Sequence, residues 1–130
     1  MEFIAKLAKS SFVHVLFAFL IMGTWAYYAN SNHPWPKPLI AGVVQGLISA
    51  SITFVVKRTV EIVSAALNGF AALVLPAMAA SMVSFICLVG IHTLVGTPEV
   101  WLTIALPFAA ALLYVSSYSF ALWKSARAKV

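Results

Sequence analysis

Aspartate is absent from this 130-residue chain, and glutamate occurs only at Glu2, Glu61 and Glu99. There is also no GxSxG elbow, no HExxH pair and no Gly-rich loop opening a phosphate-binding helix. No constellation for nucleophilic or metal-assisted hydrolysis is therefore on offer, and the chain is expected not to be an enzyme. Cysteine is nearly missing as well. Cys87 stands alone inside an apolar run, so one chain can build neither a disulfide framework nor a cysteine-ligated zinc site. Charge of either sign is scarce, at 8% of residues.

What fills the space is apolar. The hydrophobic share is 63% and the mean hydropathy is +1.02, far from the usage of a domain whose solvent is water. Crossing a hydrocarbon core of about 30 Å takes roughly 17–25 helical residues. Runs of that length lie near 11–29, 39–56, 70–94 and 100–123. Lipid offers no partner for backbone amides, so each run is expected to be a helix; a barrel would show short alternating strands instead. The expected fold class is an all-α integral membrane protein, a single domain over 1–130 with four transmembrane helices in an up-down bundle. The first run is long for a signal peptide, ends on bulky Trp25, Tyr27 and Tyr28, and has no small-x-small cleavage site, so it reads as a retained span.

The excess of basic over acidic residues, a net charge of +5, does not point to nucleic acid, because the charges sit at the ends of apolar runs and not in a patch. Lys6 and Lys9 precede the first run, Lys57 and Arg58 follow the second, and Lys124, Arg127 and Lys129 follow the fourth; Lys37 alone lies on the other side. By the positive-inside rule both termini are cytoplasmic, in what reads as a bacterial inner membrane, and the bias is too strong for dual topology. Trp25, Tyr27, Tyr28, Trp35 and Trp101 gather at the opposite interface and Trp123 at the inner one, where amphipathic rings anchor at headgroup depth. Pro34, Pro36 and Pro38 make the first outer turn stiff and stop the helices around it.

The second run carries two series at a four-residue spacing. Gly42, Gly46 and Ala50 form a small face on which helix backbones approach closely, within the chain or between chains. Beside it, Gln45, Ser49 and Thr53 form a polar ladder that continues to Lys57 and Glu61. An amide at membrane depth needs partners or water, and more often glues helices than binds a solute. After Arg58 the helical pattern continues to a stop at Asn68 and Gly69, as an extension of the span or a short interfacial helix. Ser81 and Ser84 in the third run, and Tyr114 and Ser117 in the fourth, are further candidates for a polar seam. Pro76 and Pro107 place a bend in each of those runs.

The three histidines do not form a cofactor site. His14 lies near the inner end of the first run and His92 near the outer end of the third, too far apart in depth to share a haem iron. No cofactor is expected. The spans contain no Lys, Arg, Asp or Glu, which disfavours a carrier coupled through an intramembrane carboxylate. Two functions stay in view: a polytopic membrane protein acting by helix association, as a homo-oligomer or beside a membrane-protein partner, and a small transporter or flippase for a lipid-linked or small solute. They differ in one observable. Either the polar residues converge on one cavity, or they disperse into separate interhelical hydrogen bonds.

Overall fold

In the computed structural model of the chain the described residues are 1–9 and 11–130; the side chains of 7–11 also lie outside the description, Lys9 of the basic set among them. The described chain is helical without strands, in the order α1 Glu2–Lys9, α2 Ser11–Ala29, α3 Lys37–Ala65, α4 Ala71–Leu94 and α5 Val100–Ala128. Four of these, α2 to α5, are long and apolar enough to cross a membrane. The short α1, an amphipathic stretch of EFIAKLAK, was not expected from the pattern of apolar runs.

The second apolar run reads straight through Lys57 and Arg58 as one helix, so the stretch after Arg58 extends the span and is not a separate interfacial helix. Nothing between Thr59 and Ala65 breaks helical propensity, and Val56 and Val60 are both buried on one continuous face. The stop comes at Ala66, three residues before Gly69, whose φ of +64° is strained for any residue with a Cβ. Pro38 sits in the first turn of α3, where its missing N–H costs no helical bond. Pro76 and Pro107 lie inside α4 and α5, and neither ends its helix.

Each long helix packs on the next in sequence, and α5 also reaches back to α2 and α3. Among the described residues α2 and α4 do not touch, so α3 and α5 make the inner diagonal. The residue types are distributed inside out relative to a water-soluble bundle. Phe17, Leu47, Phe54, Met82, Leu113 and Phe120 point outward, whereas Asn30, Gln45, Ser84, His92, Thr103 and Ser119 are fully buried. An exterior of this kind is at home in hydrocarbon and would be a very large exposed patch in water.

The apolar core has two layers. Ile48, Leu88 and Ile104 form one, near the end where the α2–α3 and α4–α5 turns meet; Val56, Val60, Ala80 and Val115 form the other, toward the α3–α4 turn. Ile52 touches both.

The small face of α3 is used inside the chain. Carbonyl oxygen of Gly42 lies 2.8 Å from where a Cβ on Gly23 would stand, and the ring of Phe19 lies 2.9 Å from where one on Gly46 would stand. Glycine is required there because backbones and a ring occupy the space a side chain would need. Ala50, one turn further, is only half-buried.

Candidate polar column and interior cavity

At the double-turn end, Asn30 ties α2 to α5. Fully buried just past the end of α2, its Nδ2 donates to Ala26 O at 2.8 Å and to Thr103 Oγ1 of α5 at 2.7 Å, and its Oδ1 accepts from the backbone N–H of Glu99 at 3.0 Å. Glu99 is the residue that opens α5, so a side chain from α2 supplies a cap that α5 lacks locally. Around this knot, Trp25 Nε1 donates to Leu102 O at 3.0 Å, Lys37 Nζ to Gly96 O at 3.2 Å, and His33 Nε2 meets Glu99 Oε1 at 2.9 Å. Gly96, at φ +71°, is the left-handed residue that lets the α4–α5 turn close.

Beneath the turns lies a chain of buried hydrogen bonds. His92, in the last turn of α4, places Nδ1 2.8 Å from Thr97 Oγ1 and Nε2 2.8 Å from Gln45 Oε1. Gln45 Nε2 then donates to Ser49 Oγ at 2.9 Å, one turn along α3. Because the Gln45 amide nitrogen is spent on Ser49, its oxygen is the acceptor toward His92. A neutral imidazole with its proton on Nε2, accepting at Nδ1 from the Thr97 hydroxyl, satisfies every member.

Below Ser49 the column gives onto a half-open cavity of about 190 Å³, at whose rim Thr53 and Tyr114 are exposed. Its walls carry Gln45, Ser49 and Thr53 from α3, Ser84 from α4 and Tyr114 from α5, among apolar Met22, Ile52 and Leu88. Small residues in its lining, Ser49, Ser84, Ala110 and Ala111, leave the space unfilled, and Pro107 of α5 lines it with them. Ser84 Oγ is fully buried and makes no hydrogen bond to protein.

Past the cavity the polar groups resume. Tyr114 stacks on Tyr118 with ring centroids 5.9 Å apart, and Tyr118 Oη donates to Glu61 Oε1 at 2.8 Å. Arg58 reaches the other oxygen of Glu61 at 3.4 Å. Ser119 Oγ donates to Leu73 O at 2.7 Å, next to the Ala72 carbonyl that Pro76 cannot bond. From Thr97 to Glu61 polar side chains thus follow one another through the bundle, interrupted by the cavity.

Five of the seven seam candidates, Gln45, Ser49, Thr53, Ser84 and Tyr114, border this one cavity. The other two do not. Ser81 Oγ bonds back to Ala77 O of its own helix at 2.7 Å, and Ser117 is exposed on the outer face of α5. Sequence reading gave no role to Asn30, Thr97, Thr103 or Tyr118, and considered His92 only as a haem ligand. The available signal was its type: an ionisable ring in a span needs a partner at its own depth, and Gln45 is the one amide in the spans. His33 and Glu99 do approach each other, but His92 turns away from them with both ring nitrogens engaged, and no cluster of three metal-ligating side chains occurs among the described residues.

Compared with known proteins, the chain matches no family model, no curated protein and no solved structure.

Proposed function

We propose that the chain is an integral protein of a bacterial inner membrane, an up-down bundle with both termini cytoplasmic, that moves a small uncharged polar solute through its interior. The observation that carries this reading is that Gln45, Ser49, Thr53, Ser84 and Tyr114, from three helices, border one half-open cavity, Gln45, Ser49 and Ser84 on its buried side and Thr53 and Tyr114 at its exposed rim. Hydroxyls and an amide select by hydrogen bonding and size, without the fixed charge that ion coupling through a carboxylate requires. The basic residues that flank the spans support the orientation.

Helix association through Gly42, Gly46 and Ala50 is the weaker reading, because α2 already covers Gly42 and Gly46. A multimer of this protein would use outward apolar residues instead.

Thiol labelling tests the transport reading. With Cys87 replaced by alanine, Ser49→Cys and Thr53→Cys are expected to react with a membrane-impermeant maleimide, and the outward-facing Leu113→Cys control to stay unmodified. Uniform non-reactivity at positions 45, 49 and 53 would sink it.

A further inference from the structure

At the other end of the bundle, a pocket of about 540 Å³ lies between the α3–α4 turn and the last turns of α5, lined by Ser64, Asn68, Gly69, Phe70, Trp123 and Arg127 among others. We propose that this pocket binds the headgroup of an anionic phospholipid, whose acyl chain lies in the apolar groove that begins beside it.

Arg127 is held in place. Its guanidinium carbon sits 4.7 Å from the centroid of the Trp123 ring, and that ring is fixed by an Nε1–H bond to Gly69 O at 3.0 Å. Stacking over a ring face leaves the edge of the guanidinium, with its fork of N–H donors, free for a phosphate. Among the described residues the ion pairs are His33–Glu99 and Arg58–Glu61, so Arg127 has no carboxylate partner. No glutamate lines the pocket; the last residue, Val130, does.

One further feature of the walls favours an anion. The first turn of α4 starts at Phe70 with no side-chain cap, so its amides present partial positive charge to the pocket through Ala72.

The apolar part follows directly. A groove of about 910 Å³ is lined by Val63, Leu73, Met78, Met82, Phe85 and Phe108, and Val63 and Leu73 are the chain neighbours of Ser64 and Ala72 in the pocket. A charged head site opening onto an apolar trough has the two-part chemistry of a lipid. A second copy of the chain fits it less well, since each copy carries a net charge of +5. The mid-bundle cavity takes no part, so lipid retention and thiol labelling succeed or fail independently.

The test is native mass spectrometry of the full chain released from phosphatidylcholine nanodiscs doped with phosphatidylglycerol. Phosphatidylglycerol is expected to be retained about tenfold over phosphatidylcholine, and Arg127→Gln to abolish that preference, as loss of one charge-assisted contact implies. Lys124→Gln, which removes an exposed charge nearby without lining the pocket, should change retention by less than about twofold. Met82→Trp, which fills the groove and leaves the pocket intact, should lower it. Equal losses from Lys124→Gln and Arg127→Gln would reduce the effect to diffuse surface attraction and overturn the site. Displacement of the lipid by millimolar inorganic phosphate, or indifference to Met82→Trp, would overturn the assignment to a lipid.

Discussion

Gln45 and His92, 47 positions apart in the chain, share a 2.8 Å hydrogen bond in the interior of a bundle whose large apolar side chains point outward. Each satisfies the other, and each is engaged a second time, by Ser49 and Thr97. The pair joins α3 to α4 directly above the cavity, so its geometry sets the upper wall of the space that Ser49 and Ser84 border.

Removing both partners should therefore cost less than the sum of removing each. Gln45→Leu or His92→Ala alone is expected to destabilise the protein by about 1–3 kcal/mol, because the remaining polar group stays buried and unpaired. A double-mutant cycle read by thermal unfolding in mild detergent should return a coupling of about 0.5–2 kcal/mol, the range found for interhelical hydrogen bonds in lipid. Additive losses would mean that the bond contributes nothing.

Gly23→Ala and Gly90→Ala should behave in opposite ways. A Cβ on Gly23 would stand 2.8 Å from the backbone oxygen of Gly42, which only a separation of α2 and α3 can relieve, at about 1–3 kcal/mol. A Cβ on Gly90 meets nothing within 4 Å, and helix propensity makes that change neutral or stabilising by up to about 1 kcal/mol. The melting temperatures of the two variants, compared side by side, check the asymmetry.

Gly46→Leu carries the same logic to the question of assembly. Because the Phe19 ring occupies that space within one chain, the leucine is expected to lower thermal stability by about 1–3 kcal/mol through overpacking. Light scattering in detergent should show the same oligomeric state as the parent protein. A clean dissociation without loss of stability would return the small face to an interface between copies.

At the double-turn end, Asn30→Ala removes three hydrogen bonds of a fully buried amide and leaves Thr103 and the Glu99 N–H to find others, a loss of about 2–4 kcal/mol. His33→Ala breaks only a partly exposed contact with Glu99 and should cost less than about 1 kcal/mol, shrinking further in high salt. Chemical denaturation at two ionic strengths separates the two.

Much of the fold was legible because its signals are local. Whether a segment is long and apolar enough to cross a bilayer depends on that segment alone, and so does a glycine or proline that ends a helix. The ladder Gln45–Ser49–Thr53 was legible for the same reason: a spacing of four puts residues along one side of a helix whatever surrounds it. Ser81 and Ser117 show the limit of that reasoning. Their residue type is that of Ser84, but the rotation of α4 turns Ser81 toward the outer apolar groove, where its hydroxyl bonds its own backbone, and that of α5 turns Ser117 outward.

Composition, run length and spacing by themselves determined that this is an all-helical chain with four candidate spans, and that Gln45 needs a partner. Only the tertiary structure decided that the partner is His92, that Gly42 and Gly46 face α2, and that five polar side chains border one cavity. The physical reason is that an apolar helix is compatible with lipid at every rotation about its axis. Which face turns inward is settled by contacts between residues far apart in the chain, and a sequence read one segment at a time does not contain them.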